Sequence, residues 1–170
     1  MKTLNKKILT VCLALAMAVV MALPTFAANV PITATGIYKF FPNGARTHLL
    51  NVYGNGYEGN NVTLYRPTYA NDQEWRIIRT AGAGVSWYVV SQLSSTQALN
   101  IYHATSNCQL HSYINNTTDG KDDSAIVFNS NKGTVILRDW RYNLCFGLIA
   151  DDSNVYWSNQ QESAWEWEKQ

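Results

Sequence analysis

The side chains that could act in catalysis are few and are poorly placed for it. None of the three histidines stands in a motif that pairs it with a nucleophilic Ser or Cys and an orienting acid: His48, His103 and His111. The carboxylate pairs Asp122-Asp123 and Asp151-Asp152 are neighbours in predicted turns, whereas catalytic carboxylates must be held apart across a cleft. The sequence therefore predicts a protein that is not an enzyme.

The composition of the chain suits ligand binding better than catalysis. The chain holds 10 Tyr and 6 Trp, but only 15% of its residues are charged, which suits neutral and partly apolar ligands. No cluster of Lys and Arg follows residue 27, so nucleic acid and anionic membranes are not expected as partners. The polar loop Asn115–Asp123 lacks the alternating oxygen ligands and the distal Glu of a calcium loop. No metal or cofactor is therefore predicted.

The polar and aromatic residues are carried by short strands that recur along the chain. Leu50-Asn51-Val52-Tyr53 alternates like a half-buried strand. Leu99-Asn100-Ile101-Tyr102 repeats it, and Cys145-Phe146-Gly147-Leu148 is a third copy in which Phe146 matches Leu50. A strand precedes each copy at a nearly constant distance: Ile37–Phe40, Trp87–Val90 and Thr134–Leu137. This spacing indicates an internal repeat, with units at about 36–79, 86–129 and 133–170.

Each unit closes with a related triplet, complete in the first copy and partial in the others: Gln73-Glu74-Trp75, Ser124-Ala125-Ile126 and Ser163-Ala164-Trp165. The order L-N-V-Y, V-T-L-Y and Q-E-W within a threefold repeat resembles the ricin B-type lectin family over Ile32 to Glu168. The resemblance implies an all-β chain with the β-trefoil fold. Three units of four strands would surround a pseudo-threefold axis, with six strands in a short barrel and six in hairpins that cap it.

A single four-strand unit cannot cover its own apolar face, so the three units must share one core. The inward positions of the repeat predict these core residues: Leu50, Val52, Leu64, Trp75, Leu99, Ile101, Leu110, Ile126, Phe146, Leu148, Trp165 and Trp167.

The resemblance implies that each unit can hold one sugar, and the first unit is the best candidate. Asn51 stands where the family usually has Asp, Tyr65 is in the position that stacks on the sugar, and Thr63 precedes it by two residues. Asp72 and Gln73 form the polar pair of the loop before the tryptophan. Planar polar groups bind hydroxyls, while an aromatic ring covers the C–H face. An amide lacks the charge of a carboxylate, so weaker binding, altered preference and a lost site all remain open.

The other two units keep less of this pattern. The second offers a weaker candidate site formed by four residues: Asn100, Gln109, His111 and Asp123. Ser124 replaces the Gln of the triplet there. In the third unit Gly147 has no side chain to hold a hydroxyl and Ser158 replaces the aromatic residue. No sugar site of this type is predicted in the third unit.

Residues 1–27 are expected to be a signal peptide. A basic start containing Lys6 and Lys7 precedes the apolar run Ile8–Leu23, and cleavage is expected after Ala27 or alternatively after Ala28. The alternative interpretation is a membrane anchor, but this apolar run is shorter than the about 20 residues that a transmembrane helix needs. Residues 28–170 would form one secreted domain with no membrane span. That domain has 10 Lys and Arg against 12 Asp and Glu, or about −2.

Two features beyond the repeat leave alternatives open. Cys108 and Cys145 fall at non-equivalent strand positions, and they form either a disulfide, which export would allow, or two buried free thiols. The segment Arg79–Gly84 is interpreted as a flexible connector rather than a protease-inhibitor loop, because two glycines oppose the rigid conformation that an inhibitor needs.

The function predicted from these residues is that of a secreted, non-catalytic carbohydrate-binding protein. Its ligand would be a galactose-type sugar or a polysaccharide, bound at the first unit. The alternative is a β-trefoil that binds a protein partner, for example as a toxin-complex subunit, and has lost its sugars. The incomplete second and third units favour this alternative somewhat.

Overall fold

Antiparallel strands provide almost all of the regular structure. The computed structural model describes residues 29–42, 45–68, 70–80, 86–101, 107–113, 124–139 and 144–170, without the side chains of 138, 139 and 144. The predicted signal peptide, its cleavage site, Asp123 and the rest of the polar loop from residue 115 lie outside these residues. Within the described ranges, no helix is long and apolar enough to cross a membrane.

The described residues form twelve strands and one 3-10 helix, which confirms the prediction of an all-β chain. The strands are β1 (Gly36–Pro42), β2 (Leu49–Val52), β3 (Val62–Tyr65), β4 (Trp75–Arg79), β5 (Trp87–Ser91), β6 (Gln97–Ile101), β7 (Cys108–Ser112), β8 (Ile126–Asn129), β9 (Thr134–Asp139), β10 (Leu144–Asp151), β11 (Asn154–Ser158) and β12 (Trp165–Lys169). The 3-10 helix spans Asn71–Gln73, directly before β4.

The pairing of the strands is that of a β-trefoil. Six strands follow one another as antiparallel neighbours in the order β12-β1-β4-β5-β8-β9. The backbone N–H of Trp165 donates to the carbonyl of Gly133 at 2.6 Å, which ties the start of β12 to the residue before β9 and closes this barrel. The remaining six strands form the hairpins β2-β3, β6-β7 and β10-β11, one from each group of four strands.

Cross-strand pairs reveal which residues of the three hairpins are equivalent. Leu50 pairs with Leu64, Leu99 with Leu110, and Leu148 with Trp157. Leu50, Leu99 and Leu148 therefore occupy the same place at a constant spacing of 49 residues. The alignment of Phe146 with Leu50 was wrong by two residues. Because side chains alternate with a period of two, both Phe146 and Leu148 match the inward pattern of the long strand β10, and only the strand pairing distinguishes them.

The predicted core is confirmed, with one residue at its margin. Eleven of the twelve expected residues are buried, and Phe146 is partly buried and packs against the others. Trp157 and Trp87 also belong to this core, although the repeat pattern did not single them out. In β5 it is Trp87 that faces the core, while Tyr88 packs with Val90 and Ala98 in a smaller cluster.

The N–H groups of three buried indoles donate hydrogen bonds to backbone carbonyls of the hairpins, as is usual for buried Trp residues. Trp75 Nε1 donates to the Leu50 carbonyl at 3.0 Å, and Trp165 Nε1 donates to the Leu148 carbonyl at 2.8 Å. Trp157 Nε1 donates to the carbonyl of Asn100, which belongs to the preceding unit, at 3.0 Å. Barrel strands and hairpins are thus joined by direct bonds as well as by apolar packing.

The start of the described chain is bound to the last strand. Asn29 Nδ2 donates to the Trp165 carbonyl at 2.6 Å, and Asn29 Oδ1 accepts from the Trp167 backbone N–H at 3.0 Å. Trp167 Nε1 donates to the carbonyl of Val30 at 2.9 Å. Cleavage after Ala27 or after Ala28 would retain all of these contacts.

Cys108 and Cys145 are both free thiols, so of the two alternatives the disulfide is wrong, and that of two buried thiols is right for Cys108 and wrong for Cys145. Cys108 is buried in the core, whereas Cys145 is exposed on β10. Burial removes the Cys108 sulfur from solvent and raises its pKa, even though the backbone of Asn100 and the indole of Trp157 oppose this shift.

We expect the two thiols to differ sharply in reactivity. The thiolate is the reactive form, and Cys108 has both a raised pKa and no access to solvent. Treatment of the native protein with iodoacetamide at pH 8, followed by peptide mapping, should label Cys145 and leave Cys108 unmodified. In denaturant both should react. Rapid labelling of native Cys108 would contradict the packing described above.

Candidate functional site

The hairpin β2-β3 divides its side chains between the core and the outer surface. Leu50, Val52, Val62 and Leu64 point inward and belong to the core. Asn51 pairs with Thr63, and Tyr65 follows Thr63 by two residues on the same strand. Because alternate residues of a strand share a face, Asn51, Thr63 and Tyr65 lie together on the outer face of this hairpin.

The 3-10 helix Asn71–Gln73 packs against β2 and brings the remaining two predicted residues to the hairpin. The Gln73 side chain is 1% exposed. Its Oε1 accepts from the Thr68 backbone N–H at 2.8 Å, and its Nε2 donates to the Arg66 carbonyl at 2.7 Å. Gln73 therefore ties down the loop between β3 and the 3-10 helix. A direct contact between Gln73 and a sugar stays a prediction.

Asn51 lies beneath the surface of the same hairpin. It is 5% exposed, and its Nδ2 donates to the carbonyl of Val52 at 2.9 Å. Its Oδ1 is buried and has no hydrogen-bond partner among the described residues. Leaving a buried acceptor unpaired costs about 1–3 kcal/mol. Such a group in a folded protein calls for a specific explanation.

The accessible part of this cluster consists of Tyr65, Thr63 and Asp72. The Tyr65 side chain is 47% exposed, and Thr63 and Asp72 are half-buried. The Arg66 guanidinium lies 5.8 Å from the centroid of the Tyr65 ring, which is within cation–π range. The five residues predicted for the first site are thus grouped around one hairpin, with a surface layer of three and an internal layer of Asn51 and Gln73. This cluster is called the first-unit site below.

Three of the four candidate residues of the second unit are described, and they are engaged in other contacts. Asn100 is buried, and its Nδ2 donates to Ser124 Oγ at 3.0 Å. Gln109 Nε2 donates to Asn61 Oδ1 at 3.2 Å, and His111 Nδ1 lies 3.2 Å from Glu58 Oε1. Asn61 and Glu58 both belong to the first unit. Gln109 and His111 are therefore used at the boundary between two units.

The third unit has no equivalent polar layer in the described residues. Gly147 pairs with Ser158, whose Oγ accepts from the backbone N–H groups of residues 160 and 161. A Cβ atom on Gly147 would lie 2.6 Å from the Gln161 carbonyl oxygen, so this position is closed by backbone. In the corrected register Ile149 takes the place of Asn51, which puts an apolar side chain where the first unit has an amide.

Sequence reasoning missed two exposed tyrosines beside the first-unit site. Tyr53 and Tyr57 are 73% and 70% exposed, and both lie in the connection between β2 and β3. Glycine and asparagine surround them, so this segment reads only as turns. The available signal was the presence of two large aromatic residues in a segment that has no apolar face of its own.

No cluster of His, Cys, Asp or Glu suitable for a metal ion occurs in the part of the chain that the structure describes. The polar residues of the first-unit site are an amide, a hydroxyl, a phenol, one carboxylate and one buried Gln. This set can hydrogen-bond to a neutral, hydroxyl-bearing ligand and can cover one apolar side of it with the Tyr65 ring.

No protein-family model matches the chain, and a search of the curated proteins finds no significant match. Solved structures do match. A mosquitocidal holotoxin aligns with a TM-score of 0.64 at 15% identity, over 82% of this chain and 18% of its own. The β-trefoil lectin of the Vibrio vulnificus hemolysin/cytolysin, solved with N-acetyl-D-lactosamine bound, aligns with a TM-score of 0.61 at 16% identity, over 81% of this chain and 97% of its own. The designed 3-fold symmetric protein ThreeFoil gives 0.58 at 22% identity, over 79% and 99%.

At these identities the likeness concerns the fold alone. It agrees with the strand pairing described above: the chain is a β-trefoil of the type found in lectins and in toxins. The chain spans only 18% of the length of the holotoxin that it matches.

Proposed function

We propose that the protein is a secreted, non-catalytic carbohydrate-binding protein that binds a saccharide at the first-unit site. The observation that carries this proposal is the exposed Tyr65 ring, which lies on the same face of the hairpin as Thr63 and as Asn51, whose buried Oδ1 has no partner among the described residues. Residues 1–27 would direct export and be removed.

The surface layer and the internal layer of the site would have different roles in binding. The Tyr65 ring would cover the C–H face of a sugar, while Thr63 and Asp72 would bind hydroxyls at its edge. Asn51 Oδ1 is an unused acceptor, which a ligand hydroxyl or a bridging water could satisfy when the site is occupied. Gln73 would act indirectly, because both of its polar atoms hold the Arg66–Thr68 segment in place.

The similarity to the Vibrio vulnificus lectin supports this proposal, because that protein is a β-trefoil solved with a saccharide bound. It is a β-trefoil of nearly the same extent, and it binds N-acetyl-D-lactosamine. This galactose-containing disaccharide is therefore the first ligand to test on the present chain.

A glycan array that includes N-acetyl-D-lactosamine tests the proposal directly. We expect the wild-type protein to bind a defined set of glycans and Tyr65→Ala to bind them at least tenfold more weakly, which corresponds to about 1.4 kcal/mol. Tyr65→Phe keeps the ring and should retain most of the binding. Tyr65 is exposed, so its replacement should leave the melting temperature nearly unchanged.

Two outcomes would contradict a sugar site at Tyr65. One is an array with no bound glycan, and the other is equal binding by the wild type and Tyr65→Ala. An empty array together with a stable complex in a pull-down would favour a protein-binding β-trefoil. The contacts that occupy Gln109 and His111 weigh against a sugar site in the second unit, as expected of a β-trefoil that has lost its sugars.

A further inference from the structure

The connection between β2 and β3, residues 53–60, is held in one conformation by its own hydrogen bonds; it is called the tyrosine loop. The Tyr53 backbone N–H donates to the Asn61 carbonyl at 2.9 Å. Tyr57 and Asn60 form a closed turn, since the Tyr57 N–H donates to Asn60 Oδ1 at 2.9 Å and the Asn60 N–H donates to the Tyr57 carbonyl at 3.1 Å. Gly59, at φ 81°, provides the left-handed residue that this turn needs.

The tyrosine loop is also bound to the second unit. The Gly59 N–H donates to the Leu110 carbonyl at 2.8 Å, and the Leu110 N–H donates to the Asn60 carbonyl at 3.0 Å. Gly56 is buried at φ 76°, where an added Cβ would lie only 2.5 Å from Leu93 Cβ. These contacts fix the loop between two units, although its glycine content alone would favour mobility.

This fixed loop presents the two most exposed aromatic side chains of the described residues, Tyr53 and Tyr57. Exposing large rings on an ordered loop forgoes the stabilisation that their burial would provide. Rigid Tyr side chains lose little conformational entropy on binding, and their rings combine an apolar face with a polar tip. The arrangement is therefore suited to binding a ligand rather than to stabilising the fold.

Tyr53 and Tyr65 lie on the same outer face of the hairpin. Tyr65 is opposite Leu49 and Tyr53 is opposite Asn61, so the two tyrosines are separated by four residues of strand, or about 13 Å. This distance is longer than one sugar ring. Thr63 lies between them on that face and can offer a hydroxyl, while Asn61, opposite Tyr53, can offer its amide Nδ2 because its Oδ1 already accepts from Gln109.

The chain between Tyr53 and Tyr65 suits a neutral ligand, and beyond it the Arg66 guanidinium lies 5.8 Å from the centroid of the Tyr65 ring. Between Tyr53 and Tyr65 the only charged residue is Glu58, which is next to His111. The other polar side chains are those of four residues, none of them ionisable at neutral pH: Asn55, Asn60, Asn61 and Thr63. Aromatic rings separated by amides and a hydroxyl match the alternating C–H and hydroxyl surfaces of a sugar chain.

We propose that the tyrosine loop is a second aromatic subsite, which together with Tyr65 binds an extended saccharide chain of several sugar rings. This inference rests on the proposed function, because it assumes a sugar at the first-unit site. It goes further in assigning the ligand class, a linear oligo- or polysaccharide rather than a single terminal sugar. Tyr53 and Tyr57 would bind the rings that extend beyond Tyr65.

The test compares chains of increasing length. The purified protein is applied to an array of linear galactose-, glucose- and N-acetylglucosamine-based chains of one to six sugars, with the repeated disaccharide N-acetyl-D-lactosamine included. We expect the longest bound chains to bind at least tenfold more tightly than the shortest of the same series. The double variant Tyr53→Ser/Tyr57→Ser should lose this gain and keep the wild-type affinity for the shortest ligands.

Three further variants identify the cause of any loss. Val30→Ser alters an exposed apolar side chain outside the hairpin and should bind like the wild type. Gly56→Ala keeps both tyrosines but should displace the loop from Leu93, so it should also lose the gain with chain length. Tyr65→Ala should lose short and long ligands alike. The melting temperatures of the double variant and of Val30→Ser should equal that of the wild type.

The possible failures can be distinguished. Binding that depends on Tyr65 but is independent of chain length, or a double variant with wild-type affinity for long chains, would overturn the tyrosine subsite and leave the first-unit site standing. An array without any bound ligand would overturn both proposals. Capture of a protein that requires Tyr53 and Tyr57, with no glycan bound, would assign the loop to a protein partner and would also overturn the inference.

Discussion

Replacement of Trp75 by alanine is expected to lower the free energy of unfolding by about 3–5 kcal/mol. Trp75 is 0% exposed, so the substitution leaves a cavity in the shared core of the three units. It also removes the indole donor that the Leu50 carbonyl accepts at 3.0 Å. Domains of this size are stable by about 5–15 kcal/mol, so the substitution should remove a large fraction of the free energy of unfolding.

Urea denaturation of the wild type and of three variants, Trp75→Ala, Trp75→Phe and Tyr57→Ala, separates packing from hydrogen bonding. Trp75→Phe retains much of the ring but leaves the Leu50 carbonyl without its donor, and should cost about 1–3 kcal/mol. Tyr57→Ala removes an exposed ring and should stay within about 0.5 kcal/mol of the wild type. A loss below 1 kcal/mol for Trp75→Ala would show that Trp75 does not join β4 to the hairpin.

Substitution of Gln73 should have the second largest effect, because Gln73 organises the loop of the first-unit site. Gln73→Ala removes the hydrogen bonds to the Thr68 N–H and the Arg66 carbonyl and truncates a buried side chain, at an expected cost of about 2–4 kcal/mol. The loop that carries Asp72 would lose its fixed conformation. Glycan binding should therefore weaken at least tenfold, even if Gln73 makes no contact with the ligand.

Gln73→Glu provides a pH-dependent version of the same experiment. The introduced carboxyl can still accept from Thr68, but when ionised it cannot donate to the Arg66 carbonyl and carries a buried charge. Burial should raise its pKa above the value in the unfolded chain. With a raised folded-state pKa, the stability is present at low pH and is lost as the pH rises through that pKa. The variant should thus be closer to wild-type stability at pH 4 than at pH 7.

Gln160→Glu serves as the matched control, since residue 160 is exposed and only its backbone N–H is bonded to Ser158. Stability should be measured for the wild type and both variants at pH 4 and pH 7, and only the differences from the wild type compared. A difference for Gln73→Glu that is the same at both pH values would show that the bond to the Arg66 carbonyl is unimportant.

The grouping of the five candidate residues around the first hairpin was predictable, whereas their role in binding a ligand stays a prediction. Asn51, Thr63, Tyr65, Asp72 and Gln73 are near one another because strand pairing and a short loop place them there, and both features can be read from local spacing. The layers of the site were not predictable. Whether an outward strand residue such as Asn51 is exposed depends on what covers the hairpin, here the segment that ends in the 3-10 helix.

The amino-acid sequence by itself determined the class of fold and the inward positions of the repeat, which supply part of the core. Alternation with a period of two marks each strand and its inward face, and the threefold spacing requires the units to share one interior. Both signals are local or repetitive, so they can be recognised without any knowledge of long-range contacts.

Only the tertiary structure decided how the units meet. Closure of the barrel sets the register of β10 and the burial of Cys108. It also sets the contacts from Gln109 and His111 to the first unit and the anchoring of the tyrosine loop on Leu110. These contacts join residues about one unit apart in the chain, and no local pattern encodes which side chains face one another across that distance. Closure around the pseudo-threefold axis sets those distances, and it therefore determines which polar and aromatic groups remain available for a ligand.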